Sequence, residues 1–299
     1  MSMGQLALRQ APEEAEQGQA ASRTRLLDLS VGLVEDVRWA GVPGRNGPEG
    51  FSAEFQVALP YRGLFVWHVG SDEVVGDANQ VLFVTGGEQY RMSHPIPGGY
   101  AELIVTLAEC VVSELSHAAR GALATHALFR RRSRRLTPCL QSFRARFLSW
   151  AREPSKVDTL AAEELVLSLV RSALDDAAPV GRAGRSTLRL IRRTKAFLEA
   201  ELAQPIRLAD VARFVGASPA YLTHVFRSVE GVPLHQYLTQ LRLARALVEL
   251  PQANDLTKLA LEVGFSSHSH FSASFHRAYG TTPSQFREMS RSRLPPAFM

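Results

Sequence analysis

The chain has 299 residues, of which 45% are hydrophobic and 21% are charged. These values are typical of a globular protein, and the length predicts two domains. No run of about 20 apolar residues occurs, so we expect no membrane span. The N-terminal stretch is acidic and lacks the basic flank and apolar core of a secretory signal, so we expect a cytoplasmic protein.

The net charge of +5 is unevenly distributed. From residue 181 onward there are 16 Lys and Arg residues against 8 Asp and Glu residues, whereas the rest of the chain has 18 against 21. A basic C-terminal part on a slightly acidic body indicates a polyanionic partner for the C-terminal part.

The two cysteines, Cys110 and Cys139, are too few for a disulfide framework or a cysteine-based zinc site. We expect two buried thiols. A redox switch is the alternative, and no sequence feature supports it.

The first half of the chain predicts a strand-rich domain behind a tail. Residues 1–24 lack a regular apolar period, and we expect a disordered tail. Alternating apolar residues predict one half-buried strand over residues 51–59, and the apolar runs 64–67, 81–84 and 103–105 predict further strands. Turn residues separate these runs, so the pattern favours a small barrel or sandwich.

Residues 108–178 change to helical spacing and predict two or three helices that pack on the strands or on a second subunit. A basic run lies between them, and it is either a solvated loop or a contact with DNA backbone or an acidic partner. Its members are Arg130, Arg131, Arg132, Arg134 and Arg135. Small and basic residues at 179–187 predict a linker.

An internal repeat with a period of about 49 residues occupies the C-terminal part. The stretch LADVA at 208–212, followed by Val215-Gly216 and Ser218-Pro219, returns as LTKLA at 256–260, followed by Val263-Gly264 and Ser266-Ser267. Two copies of one supersecondary unit explain such a repeat economically.

Each copy has the features of a helix-turn-helix. A short helix ends at a glycine that can adopt the positive φ of a reversal, and the next helix opens with a serine that can cap free N–H groups. The second helix of each copy has an apolar stripe and a polar opposite face. A packing module without a ligand is the alternative, and the basic charge and the polar faces argue against it.

Residues 188–290 resemble the DNA-binding domain of AraC/XylS-type regulators. The most specific stretch is LALEVGFSSHSHFSASFHRAYGTTPSQFR at 259–287, and LRLARA at 241–246 matches the helix that joins the two units in that family. The resemblance implies two recognition helices, near 218–229 and 267–278, that enter successive major grooves of B-DNA.

The same resemblance implies the DNA-contacting residues. Arg227 and Arg277 are expected at phosphates. The residues expected at base edges are Ala220, Thr223, His224, His268, Ser269, His270 and Ala273. The full set is Ser218, Ala220, Tyr221, Thr223, His224, Arg227, Ser267, His268, Ser269, His270, Ser272, Ala273 and Arg277. The family usually has arginine where Ala273 stands. Alanine cannot donate a hydrogen bond to guanine and can only contact a thymine methyl group.

The N-terminal half resembles, by architecture alone, the cupin-like sensor of sugar-responsive members. Aromatic walls with a few polar groups suit a small organic ligand, although the same residues would also fit the core and rim of an empty barrel. The candidate ligand-binding residues are Arg62, Phe65, Trp67, His68, Tyr90, Arg91 and His94. No His-x-His pair lies in a strand, so we expect no metal site there.

No catalytic motif of the GxxxxGK[ST], GxSxG or HExxH type is present, so we expect neither an enzyme nor a cofactor. The sequence therefore predicts an α+β protein: a cupin-like β-barrel with dimerisation helices at 25–178, and an all-α domain of two helix-turn-helix units at 188–292. We expect a dimeric transcription activator that binds double-stranded DNA, responds to a small organic effector or a partner at its N-terminal domain, and contacts RNA polymerase. An N-terminal half that only dimerises or binds a protein partner is one alternative. A cupin-type enzyme or a metal-binding sensor fused to a DNA-binding domain is the other.

Overall fold

The structure, a computed structural model, describes residues 21–40, 46–118, 132–153, 157–175, 178–179 and 184–292. Among these residues, strands and three helices form the N-terminal part, and helices form the part from residue 184 to residue 292. The α+β prediction is therefore confirmed at this level. No helix within the described ranges combines the length and apolarity that a membrane crossing requires.

The strands of the N-terminal part form two antiparallel sheets. The first has the order β1-β2-β9-β4-β7-β10-β11, and the second has the order β3-β8-β5-β6. The strands are β1 Ser22–Leu29, β2 Gly32–Trp39, β3 Asn46–Ser52, β4 Gln56–Gly63, β5 Phe65–Val69, β6 Asp72–Gly76, β7 Gln80–Val84, β8 Glu88–Ser93, β9 Tyr100–Leu107, β10 Ser133–Arg135 and β11 Ala178–Pro179.

The two faces of the larger sheet pack in different environments because side chains alternate along each strand. Tyr100 and Ile104 of β9 share a core with Phe65 and Trp67 of the smaller sheet. The intervening Leu103 belongs to a second core, where the sheet packs against helices. This second core is covered by α1 Glu109–Ala118, α2 Pro138–Ala151 and α3 Thr159–Asp175.

The C-terminal part contains seven α-helices among its described residues. They are α4 Arg185–Ala200, α5 Leu208–Val215, α6 Pro219–Glu230, α7 Leu234–Glu249, α8 Leu256–Glu262, α9 His268–Tyr279 and α10 Pro283–Arg291, with a short 3-10 turn at Leu250–Gln252. One face of α7, with Tyr237 and Leu241, packs with α4, α5 and α6. Its other face, with Leu243 and Leu247, packs with α8, α9 and α10. A single helix therefore belongs to both helical clusters.

One prediction about the strands is wrong in detail. The alternation over 51–59 predicted one strand, but β3 ends at Ser52 in one sheet and β4 begins at Gln56 in the other. Phe51 is 61% exposed as a result. A cupin-like barrel was also expected, whereas the described strands form two open sheets that face each other.

Regular structure extends into both the predicted tail and the predicted linker. β1 begins at Ser22, inside the predicted tail, because Ser22 pairs with Arg38 in the sheet. Helix α4 begins at Arg185, inside the predicted linker, and Gly184 caps it. Residues 1–20 lie outside the described ranges.

Two further predictions from composition are wrong. Cys110 and Cys139 are exposed rather than buried, because each lies in the first turn of a helix on its outer face. The basic run is not a solvated loop in its described part: β10 pairs with β7, and Arg132 binds Glu88. Arg130 and Arg131 lie outside the described residues.

Candidate nucleic-acid interface

The first helix-turn-helix consists of α5 and α6. Gly216 ends α5 with a φ of 73°, a conformation that costs glycine little and other residues much. The Ser218 hydroxyl accepts a hydrogen bond from the Tyr221 N–H at 3.2 Å, and Pro219 occupies the first helical position, where no N–H is needed. The turn that the sequence predicted is therefore present, and α6 starts within one residue of its predicted position.

The second helix-turn-helix consists of α8 and α9. Asp255 caps α8 through the N–H groups of Thr257 and Lys258, at 2.7 and 3.1 Å. The Ser267 hydroxyl accepts a hydrogen bond from the His270 N–H at 3.1 Å and caps α9. Both recognition helices end at a left-handed glycine, and these two glycines are one repeat apart in the sequence.

The turn between α8 and α9 fits against the loop that follows α4. Gly264 has a φ of 94°, and a Cβ there would lie 2.3 Å from the Leu202 carbonyl oxygen. Arg242 of α7 donates to the same oxygen at 2.9 Å and to the Gln204 carbonyl oxygen at 2.7 Å. Glycine is therefore required at this turn by the close approach as well as by the backbone angle.

The apolar stripe of each recognition helix is buried, as predicted. Leu222, Phe226, Phe271 and Phe275 are fully buried. The opposite faces are accessible: Thr223 and Ser272 are half-buried, and the other eleven predicted DNA-contacting residues are exposed. The amphipathic pattern thus leaves two polar faces open to a partner.

The two arginines expected at phosphates lie near the carboxyl ends of the recognition helices. Arg227 and Arg277 are exposed, and neither has an ion-pair partner within the described ranges. By contrast, Arg213 pairs with Asp210 at 3.2 Å, and Arg245 pairs with Glu249. An arginine without an acidic neighbour is free to bind a phosphate oxygen.

The candidate ligand-binding residues do not converge on one site. Phe65, Trp67 and Tyr90 lie in the core between the two sheets. His68 and Arg91 belong to the same two strands but to the opposite side, where the His68 Nε2 atom lies 2.8 Å from the Ser93 hydroxyl. Neighbouring side chains of a strand point to opposite faces of the sheet, so His68 and Arg91 lie apart from Trp67 and Tyr90.

The remaining two candidates lie where the N-terminal part meets the helices. Arg62 lies near Arg245, which lowers the pKa of the Arg62 guanidinium. His94 stacks on Trp39 with ring centroids 3.6 Å apart, and burial lowers its pKa to about 4. Trp39, the last residue of β2, was not among the predicted residues, because three charged residues interrupt that strand and no apolar run marks it.

A groove of about 340 Å³ lies beside His94, between the sheets and the helices. Strand residues Val66 and Ser93 form one wall, and residues of α4 and α5 form the other. The helical residues are Arg192, Arg193, Ala196 and Phe214. Arg192 binds Glu73, and Arg193 donates to the Phe214 carbonyl oxygen, so both guanidinium groups already have acceptors.

Glu102 is a buried carboxyl that was not among the predicted site residues. It lies on the face of β9 that carries Tyr100 and Ile104, between the two sheets, and is 5% exposed. Burial raises its pKa to about 8, and the charge of Arg23 opposes this shift. Within the described residues, no group of three or more His, Cys, Asp and Glu side chains could hold a metal ion.

Comparison with known proteins places these helices in a family. Residues 211–289 match a family model described as a helix-turn-helix domain. The chain is 33% identical to the regulatory protein SoxS of Escherichia coli over 100 residues, which are 33% of this chain and 94% of SoxS. It is 33% identical to the transcriptional activator RhaR of Klebsiella pneumoniae over 129 residues, which are 43% of this chain and 44% of RhaR.

A solved structure is similar over the same region. The transcriptional regulator from Chromobacterium violaceum, described as AraC-type, is 27% identical, with a TM-score of 0.34, over 36% of this chain and 98% of that chain. The match to RhaR spans less than half of RhaR, whereas the match to SoxS spans nearly all of SoxS. The chain belongs to the AraC/XylS family of transcription regulators.

Proposed function

We propose that this protein is a sequence-specific DNA-binding transcription regulator that reads DNA with α6 and α9. One observation carries the proposal: the two helices repeat the same capped architecture, and both turn an open polar face away from their buried stripe. In this proposal residues 188–292 form the DNA-binding domain, and residues 25–178 form the sensing and dimerisation domain.

The amino-terminal halves of α6 and α9 would contact base edges in successive major grooves, about 34 Å apart. Thr223, His224, His268 and Ser269 offer side-chain donors or acceptors for direct readout. Ala273 offers only a methyl group, so this position of the second helix could contact a thymine methyl group but could not form a hydrogen bond with a base. Arg227 and Arg277 would bind phosphates and fix the register of the protein on the duplex.

Selection of binding sites from random DNA with the full-length protein tests the proposal. We expect enrichment of a motif that spans two adjacent major grooves. Binding without an enriched motif, lost in moderate salt, would mean that the helices contact only the phosphate backbone and would overturn the proposal.

We further propose that the N-terminal part is a cupin-like sensor for a small organic effector. Two observations support this: an aromatic core lies between the two sheets, and a groove of about 340 Å³ lies where the sheets meet α4 and α5. A thermal-shift screen of metabolites tests it, because a ligand at ~100 times its Kd stabilises the folded state by about 2.7 kcal/mol. A screen in which no compound raises the melting temperature would count against an effector.

We also propose that the protein is an activator, which would work as a homodimer and contact RNA polymerase. The similarity to RhaR, which is named a transcriptional activator, supports the sign of regulation. Transcription in vitro from a promoter that carries the selected motif tests it: a lower transcript level with the protein than without it would contradict activation.

A further inference from the structure

One buried polar network joins the N-terminal part to the DNA-binding helices. Lys195 of α4 lies 3.4 Å from the Asp77 carboxylate and 2.9 Å from the Glu230 carboxylate. All three side chains are at most 3% exposed. Asp77 belongs to the turn between β6 and β7, whereas Glu230 is the last residue of the first recognition helix. A buried ion cluster therefore connects the turn between β6 and β7 to the carboxyl end of α6, the first recognition helix.

Hydrogen bonds extend this network along the same turn. The Tyr237 hydroxyl donates to Asp77, the Gln80 side chain donates to Glu230 at 3.1 Å, and the Asn79 side chain donates to the Tyr237 carbonyl oxygen at 3.2 Å. Asn79 and Gln80 are fully buried. Every residue of the turn that carries a polar side chain thus contacts the first helix-turn-helix or α7.

The network also reaches the second recognition helix. The Gln141 side chain of α2 donates to Asn79 at 2.8 Å, and the hydroxyl of Tyr279, the last residue of α9, donates to Gln141 at 3.3 Å. Helix α2 also packs on α7, α9 and α10. One segment of the N-terminal part, residues 77–80, is therefore connected to the carboxyl ends of both recognition helices.

The charge balance makes this network sensitive to the loss of one member. Burial alone would lower the pKa of Lys195, but Asp77 and Glu230 outweigh it and raise that pKa, so the ammonium is charged. Removal of one partner from a buried ion cluster leaves an uncompensated charge, whereas a fully neutral replacement of similar volume is often tolerated. The loss of one member should therefore disturb the contact between the N-terminal part and the helices.

We propose that the turn at residues 77–80 is a positioning element for DNA binding, through which the N-terminal part sets how the two recognition helices are held relative to each other. The inference rests on the DNA-binding function proposed above. In the structure, where all these contacts are formed, the polar faces of α6 and α9 are exposed. This arrangement therefore leaves both helices accessible to DNA. Two recognition helices that are already held in the binding arrangement bind DNA more tightly than two helices that must be ordered on binding.

Lys195→Met tests the proposal in the full-length protein, because it leaves two buried carboxylates without their cation. The probes are duplexes with the selected motif, with the spacing between its halves changed by one base pair, and with one half alone. We expect roughly tenfold weaker binding to the intact motif, as for a tenfold drop in the competent population. We expect a flatter dependence on spacing and unchanged affinity for the half-motif.

Two variants serve as controls. Lys258→Met removes an equal charge from an exposed lysine of the same half and should keep the wild-type spacing preference. The triple variant Asp77→Asn, Lys195→Met and Glu230→Gln makes the cluster neutral and should recover most of the lost affinity. Tyr237→Phe keeps the aromatic contact with Phe226 and removes only the hydroxyl that donates to Asp77, so it tests the same idea if Lys195→Met does not fold.

The outcomes separate this inference from the function on which it rests. If the wild-type protein enriches no motif, the proposed DNA-reading function fails. If the wild-type protein binds its motif but Lys195→Met and Tyr237→Phe bind it with unchanged affinity and spacing preference, the positioning role is wrong and the function stands. Weakened binding that the neutral triple variant does not recover would also overturn the role of the ion cluster.

Discussion

The exposed face of the first recognition helix carries two side chains with different expected tasks. In the proposed function His224 contacts a base edge. Arg227, which lies one turn nearer the carboxyl end without an acidic partner in the described residues, contacts a phosphate. A base contact discriminates between sequences, whereas a phosphate contact strengthens binding to all of them. The two residues should therefore be separable by experiment.

We expect His224→Ala to weaken binding to the selected motif more than to random DNA. Arg227→Ala should weaken both equally and lower the slope of log affinity against log salt by about one unit. Titration of DNA at several salt concentrations measures both effects, with the exposed Arg171 of α3 changed to Ala as the control. An unchanged salt slope would remove Arg227 from the set of phosphate contacts.

Glu102 makes the stability of the sheets depend on pH. Burial raises its pKa from 4.5 to about 8. Between these two pH values, Glu102 is protonated in the folded state and ionised in the unfolded chain. The contribution to stability is fully present below about pH 4.5 and is lost as the pH rises towards 8.

We expect Glu102→Gln to raise the melting temperature near pH 8.5 by several degrees and to change it little below the ordinary carboxyl pKa. One pKa unit corresponds to about 1.4 kcal/mol, which shifts the melting temperature of a domain of about 150–250 residues by roughly 3–6 °C. Thermal unfolding at the two pH values measures the difference. Parallel pH profiles of wild type and variant would mean that Glu102 is ionised in the folded protein.

Helix ends are the elements whose energetics are best defined in the C-terminal part. Helix α10 begins with a capping box: the Thr282 hydroxyl accepts from the Gln285 N–H at 3.2 Å, and the Gln285 side chain accepts from the Thr282 N–H at 2.9 Å. Its Phe286 is buried among the residues of the second helix-turn-helix. The box thus fixes the helix that closes this core.

We expect Thr282→Ala to destabilise the fold by about 1 kcal/mol, the usual cost of losing a side-chain cap. Ser284→Ala is the matched control, because Ser284 is exposed in the same turn and does not cap the helix. Urea unfolding of the two variants gives the comparison. Equal free energies of unfolding would show that the box contributes nothing measurable.

The same elements explain how far the sequence alone could lead. The helix-turn-helix units were predictable because their signals are local: Ser218, Pro219 and Gly231 each act on the helix to which they belong. The strand prediction over 51–59 failed because the change from β3 to β4 depends on which sheet each half joins. Partners in a sheet are distant in sequence, and alternation within one segment does not identify them.

In the candidate site too, contacts between residues that are distant in the sequence could not be predicted. The ligand candidates were chosen by residue type, and the direction of each strand side chain then separated His68 from Trp67. Lys195 left one usable signal: it lies on the buried stripe of α4 beside Ile191 and Leu198, where a lysine needs a buried partner. That spacing could have predicted a buried partner for Lys195, but not that the partner would be Asp77.

At the scale of the whole molecule, the N-terminal part and the DNA-binding helices share buried surface. Ala145 of α2 belongs to the same core as Leu243 of α7, and the Gly63 N–H donates to Glu199 at 3.2 Å. Arg144 is fully buried at this boundary and donates to the carbonyl oxygens of Pro60 and Ala78. Parts that share a core and a buried network tend to unfold together, whereas parts that touch only through a polar surface unfold separately.

We therefore expect the full-length protein to unfold in one calorimetric transition and Lys195→Met to unfold in two. The variant leaves the cores of the two parts unchanged and disturbs only the boundary, so its two transitions should report the parts individually. Lys258→Met should keep the single transition, because that lysine is exposed and lies away from the boundary. Two transitions in the wild-type protein would show that the boundary does not couple the two parts, and a positioning role for the turn at residues 77–80 would then lose its physical basis.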